Sequence, residues 1–187
     1  DFNNLFTLLN QGQCDMVIAA AEIDEEGVRP ASSDYSDGYY SDIPPKIVVK
    51  AGTEDQYSSL EDFSGKIVGA QTSTTKETIV KNYMTGAELV SMSSVIDLVN
   101  NLVYDKVDAL VLDGAVADEY LASNPDLAAV DIDMSDYVEP YRVWVAKGDP
   151  ENLLPSINET IAKVLEDGTM DSFIARANEL SAQALES

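Results

Sequence analysis

The chain has no histidine, one cysteine and few cations: 11 Lys plus Arg stand against 34 Asp plus Glu. Without histidine there is no Ser–His–Asp or Cys–His relay, no HExxH zinc site and no imidazole proton shuttle. Cys14 has no partner for an internal disulfide, and no CxxC is present. Between a polar turn and an apolar run, it reads as a buried, inert thiol. A formal net charge of −23 argues against nucleic acid and anionic membrane surfaces, which both demand basic patches. No run approaches the roughly 20 apolar residues of a membrane span. No signal-peptide pattern is present. If this acidic chain binds an anion, the site must be local, built from backbone amides and a few cations.

Hydrophobic residues make up 45% of 187, enough to give one domain or two small lobes a core. The organising stretch is KIVGAQTSTTKE, residues 66–77. Residues 67–70 form a short apolar run that reads as a buried strand, and 71–73 as a polar turn. Thr74 and Glu77 have the spacing of a capping box. Ile79, Val80, Tyr83 and Met84 follow at helical spacing. The strand therefore hands over directly to a helix N-terminus edged by hydroxyls. Its unpaired N–H groups and positive dipole end suit a carboxylate or phosphate; the alternative is a capped helix that holds nothing.

Along the chain, residues 2–11 read as an amphipathic helix ended by Gly12. Residues 15–21 read as a buried, parallel-type strand. The acids of 22–26 read as a surface face. Residues 34–40 read as a turn-rich aromatic stretch. The run 43–49, opened by Pro44-Pro45, reads as an edge or connecting strand. From Lys66 the pattern alternates: strand 67–71, helix 75–84, strand 88–92, helix 94–104, strand 108–112, helix 115–122, strand 127–132. That alternation predicts a parallel sheet with helices on both faces. A strand over 141–146 and helices over 153–165 and 170–185 complete the chain. Asp131, Asp133 and Asp136 lack the central Gly and final Glu of a calcium loop and read as solvated. The predicted organisation has two lobes: lobe one from 1–43 plus 148–187, hinge strands at 44–50 and 138–147, and lobe two over 51–137. Clefts between lobes are favoured ligand sites.

Five motifs in order carry a family resemblance: DMVIA (15–19); Arg29 with DYSDGYY (34–40); SLEDFSGKIVGAQTSTT (59–75); VDALVLD (107–113); and KGD (147–149) with EDGT (166–169). The series resembles the family 3 solute-binding proteins of polar amino acid ABC transporters, and it spans nearly the whole chain. The resemblance implies an α/β, two-lobe type II periplasmic-binding-protein-like fold with parallel sheets. It implies that lobe one is incomplete at the N-terminus, lacking an opening β-α-β of roughly 30 or more residues. Exposed edges left by that truncation are expected to favour dimerisation or strand exchange. The expected partners are a small amino acid-like ligand and the membrane permease of an ABC importer. The expected setting is extracytoplasmic, either periplasmic or lipid-anchored at the cell surface. No enzymatic activity, cofactor or metal is implied.

Residue by residue, the carboxylate-binding arginine of the family resembles Arg29, and its hydroxyl-bearing turn resembles Thr72, Thr74 and Thr75. The ammonium-binding aspartate resembles Asp113. Glu22 stands where the family usually has a small or hydroxylated residue. A carboxylate there repels an α-carboxylate or selects a cation. Gln71 could reach a ligand side chain or simply belong to a solvated turn. The residues alone leave alternatives open: Arg29 as an ion pair to Glu25, Glu26 or Asp34, and Asp113 as an N-cap. Tyr39, Tyr40, Tyr141 and Trp144 read as packing around the hinge, with one tyrosine able to line the cleft. Two other functions fit the same pattern. One is the sensing domain of a membrane signalling receptor. The other is a cyclohexadienyl dehydratase-like enzyme using Glu22 as general acid.

Overall fold

The computed structural model describes residues 2–23 and 28–185. Strand β1 (Met16–Ala21) follows helix α1 (Leu5–Asn10), beyond whose C-cap, Gln11, Gly12 takes a φ of +68°. Helix α2 (Val28–Ser32) leads into β2 (Ser33–Tyr40). Strand β3 (Lys46–Lys50) precedes the alternating region of β4 (Ile67–Gln71), α3 (Thr75–Tyr83), β5 (Glu88–Met92), α4 (Val95–Val103), β6 (Ala109–Leu112), α5 (Gly114–Ser123) and β7 (Leu127–Ala129). Strand β8 (Tyr141–Ala146), α6 (Leu154–Glu166) and α7 (Thr169–Leu185) follow.

The strands form two sheets, of order β5-β4-β6-β3-β7 and β1-β8-β2. The larger sheet is mixed. Its β5, β4 and β6 are parallel, but β3 runs antiparallel to both β6 and β7. The all-parallel expectation therefore holds only for the βα region. Strand β3 is neither an edge nor a bare connector, because it lies between β6 and β7. Pro44 and Pro45 sit before its first residue, where a missing N–H breaks no ladder bond. Successive side chains of a strand face opposite ways. Ile47 and Val49, with Ala109 and Val111, enter one core with Ile79 and Val80 of α3. Val48, with Leu110 and Leu112, enters another with Leu98 and Leu102 of α4. Both faces are covered, which is why these strands read as unbroken apolar runs.

The smaller sheet corrects two readings. Strand β1 pairs antiparallel with β8, and is not of parallel type. Val17 and Ala21 are buried, while Met16 and Ile18 are not; Ile18 is 63% exposed. One face of this strand is therefore open. It borders an apolar groove of about 520 Å³ that also takes in Val143, Ile157, Met170 and Phe173. Residues 34–40 are not a turn. They are most of β2, which pairs antiparallel with β8 and shifts register around Gly38. The Asp and Gly that signal a turn serve those irregularities. The 138–147 segment contributes β8, the centre of its sheet. Trp144 is fully buried there, packs edge-on to Phe6 and donates Nε1–H to the Ala21 carbonyl at 3.0 Å. The chain thus passes between sheets at 41–45 and again at 130–140.

Candidate functional site

Strands β4 and β6 are parallel neighbours, so Gln71 and Asp113 emerge at the same sheet edge. Carboxyl ends of strands in open α/β sheets are where ligands collect. Helix α3 starts at that edge. Its first internal bond runs from Thr78 N–H to the Thr74 carbonyl, and no side chain caps it at Thr74. The N–H groups of Thr75, Lys76 and Glu77 therefore precede the first i−4 bond. The predicted capping box is rearranged. Glu77 accepts from the Ser73 N–H at 2.8 Å, while the Thr74 hydroxyl donates back to the Gln71 carbonyl at 2.7 Å. Ser73 takes a left-handed φ of +63° to make this turn.

Two residues reach this edge from the other sheet. Glu22 follows β1 and is only 7% exposed, so it does not belong to a solvated acid face. Its carboxylate accepts from the Thr75 hydroxyl and from Lys76 Nζ, the latter at 2.9 Å. Arg29 lies on α2 and is 6% exposed. Its guanidinium carbon sits 5.3 Å from the ring centres of both Phe2 and Phe6, a cation–π arrangement. It donates to the Glu22 carbonyl at 2.6 Å and to the Ser73 carbonyl. Asp24, Glu25 and Glu26 lie outside the described residues. Asp34 pairs with Lys147 at 2.7 Å.

Lys76 is the residue that pattern reading missed. It is 5% exposed and bridges Glu22 to Asp113 through ion pairs with both. Burial pulls its ammonium toward neutrality. The charges of Asp113 and Glu22, with their hydrogen bonds, outweigh burial and hold the pKa above the ordinary lysine value. Nearby, the Tyr141 hydroxyl donates to Asp42 at 3.1 Å. Burial first, then the charges of Asp113, Asp42 and Glu22, push that phenol's pKa up.

Between these groups lies a cleft of about 110 Å³ lined by Glu22, Arg29, Gln71, Thr74, Lys76 and Asp113, with Phe2, Ala19 and Ala20 at its side. Ala20 holds a left-handed φ of +50°, an uncommon conformation for a residue with a Cβ. Of the residues singled out from the sequence, Glu22, Arg29, Gln71, Thr74 and Asp113 meet here. Thr75 borders the cleft through its bond to Glu22. Thr72 does not line it, and its N–H is engaged by the Met92 carbonyl at 3.0 Å. Gln71 Nε2 donates to the Ser93 carbonyl at 3.0 Å.

Compared with known protein families, residues 1–177 match the model of the bacterial extracellular solute-binding proteins, family 3. The chain belongs to this family. Family 3 relatives include a probable histidine-binding protein of Campylobacter jejuni, 27% identical over 176 residues, covering 94% of this chain and 66% of that protein. The arginine-binding extracellular protein ArtP of Bacillus subtilis is 27% identical over 173 residues, covering 91% and 66%. Among solved structures, an ancestral arginine-binding protein bound to arginine superposes with a TM-score of 0.82 at 36% identity, covering 94% of this chain and 76% of that one. The chain thus spans about two thirds of the length of these curated relatives. Among the described residues no helix is long and apolar enough to cross a membrane.

Proposed function

We propose that this chain is the solute-receptor component of an ABC importer, binding a small zwitterionic amino acid between its two sheets. One observation carries the reading: Arg29, the open N-terminus of α3 and Asp113 all face a single cleft built from both sheets. The ligand carboxylate lies against the α3 amides and the Arg29 guanidinium. Its ammonium lies against Asp113. The Thr74 and Thr75 hydroxyls have each given their one proton to a protein acceptor, so the amides supply the donors to the carboxylate.

The residues preceding β3 and β8, at 41–45 and 130–140, act as the hinge, with the three-stranded sheet in lobe one and the five-stranded sheet in lobe two. A ligand held from both sides stabilises the closed form. The closed receptor then presents its ligand to a membrane permease on the outer face of the cell membrane. The names of the relatives support an amino acid ligand, because they bind arginine or histidine. The cleft is smaller than the roughly 300–1,000 Å³ of drug-sized pockets, which suits a compact solute. The test is a thermal-shift screen of the full chain against the common amino acids, followed by calorimetry on each hit. A saturable shift with at least one supports the reading, and silence across the whole set overturns it.

A further inference from the structure

The buried trio of Glu22, Lys76 and Asp113 bears on which amino acid fits, an inference that rests on the function proposed above. Two carboxylates face the cleft, and one internal ammonium lies between them, paired with both. The Lys76 side chain is 6% exposed and that of Glu22 is 9% exposed. The trio therefore carries a formal charge of −1 and has room for one more cation. In a bound amino acid that cation is the α-ammonium at Asp113. Lys76 keeps its bonds to Glu22, at 3.1 and 2.9 Å, so the second carboxylate is already neutralised. A ligand with a positive side chain would bring a second cation into a cleft already holding Lys76, and would find, among the described residues that line it, no uncompensated acid to receive it.

We propose that Lys76 is a specificity-determining residue that stands in for a ligand's cationic side chain at Glu22, restricting this site to amino acids whose side chain carries no positive charge. Like charges brought together in a desolvated site reject the wrong ligand, which is discrimination by repulsion more than by attraction. Removing one member of a buried ion pair leaves the other charge uncompensated. In Lys76→Gln the bare carboxylate at Glu22 is then available to a ligand guanidinium or ammonium. The resemblance leaves Glu22 either repelling an α-carboxylate or selecting a cation; the structure supplies a cation to it from within the chain.

The experiment is calorimetry of the full chain with glutamine, a neutral amino acid, and arginine, a basic one, on three proteins: the parent, Lys76→Gln, and the double variant Glu22→Gln, Lys76→Gln. The parent is expected to bind glutamine at least about tenfold more tightly than arginine, a difference of about 1.4 kcal/mol. Lys76→Gln is expected to shift the arginine-to-glutamine ratio at least about tenfold toward arginine. The double variant, with neither buried charge, is expected to return to the parent's preference. A parent that prefers arginine overturns the inference, whether or not Lys76→Gln folds. So does a folded Lys76→Gln with the parent's ratio, or a double variant that prefers arginine. If neither amino acid binds any of the three while another neutral one does, the comparison is repeated with that one against arginine. If no amino acid binds at all, the proposed function itself falls.

Discussion

The guanidinium of Arg29 donates to the backbone carbonyl of Ser73, 44 residues further along the chain and on the first βα turn of the other sheet. The same group donates to the Glu22 carbonyl at 2.6 Å. One planar fork thus fastens the end of β1 to the start of α3, and its charge sits beside the amides proposed to hold a carboxylate. Lysine cannot reproduce this, because its ammonium is a point charge without the fixed fork. Arg29→Lys is expected to lose at least about tenfold in amino acid affinity by calorimetry, since one hydrogen bond to a charged group contributes about 1.5–3 kcal/mol. An unchanged affinity would remove Arg29 from the site.

Asp113 follows β6 and is the N-cap residue of α5, yet its side chain makes no cap hydrogen bond. Its carboxylate is turned to Lys76 instead. The capping role that such a residue suggests is therefore not the one it performs. Asp113→Asn keeps the shape and removes the charge. The ammonium of the proposed ligand then loses its proposed counter-ion, and affinity is expected to fall about 10–100-fold, or roughly 1.4–2.8 kcal/mol. Calorimetry on the folded variant decides; a loss below about threefold would assign Asp113 to structure alone.

Much of the fold is legible because the βα region obeys local rules. Val68 and Ala70, with Leu110 and Val111, are covered on both sheet faces, so their strands appear as plain apolar runs. Strand β2 was hidden because Asp37 and Gly38, which read as turn residues, sit at register shifts within a strand. The interior place of β3 was hidden because its neighbours, β6 and β7, lie far along the chain. In the site, Asp113 and Thr74 were legible from the strand-to-helix junctions that carry them. Lys76 was not. Its burial depends on Glu22, 54 residues away, which the sequence offers both as part of an acidic surface run and, through the resemblance, as a position at the cleft, without showing its partner. One local signal did exist. A lysine in the first turn of a helix opposes the dipole, and such a placement calls for a compensating anion.

Glu77 gives a pH signature. Burial alone would raise its carboxyl, but hydrogen bonds from the Ser91 hydroxyl and the Ser73 N–H, with the charge of Lys81, hold it below the ordinary value. A group depressed in the folded state stabilises the fold above its unfolded pKa, near 4.3 for glutamate. That stabilisation is lost as pH falls through the lower, folded value. Melting temperatures measured between about pH 3 and 6 should show the parent losing more stability on acidification than Glu77→Gln. A parent-minus-variant difference that stays flat over that window would refute the assignment.

Gly114 ties the proposed ligand aspartate to a crossing between the sheets. It is the first residue of α5, directly after Asp113. A Cβ placed there would meet the Pro44 carbonyl oxygen and would lie 2.5 Å from Ile43 Cγ1 and 2.8 Å from the Ile43 carbonyl oxygen. Two opposing effects set the sign of Gly114→Ala. Alanine is the better helix former by about 1 kcal/mol, whereas overpacking costs roughly 1–3 kcal/mol. Overpacking wins here because two of the obstructing atoms are backbone oxygens of the 41–45 crossing, which cannot rotate aside as a side chain can. Gly114→Ala is therefore expected to lower the melting temperature, by about 2–4 °C for each kcal/mol lost in a chain of this size. It should also weaken amino acid binding, because the displaced backbone carries Asp113 with it. A melting temperature equal to or above the parent's would show that the crossing yields easily, and that Asp113 is positioned independently of it.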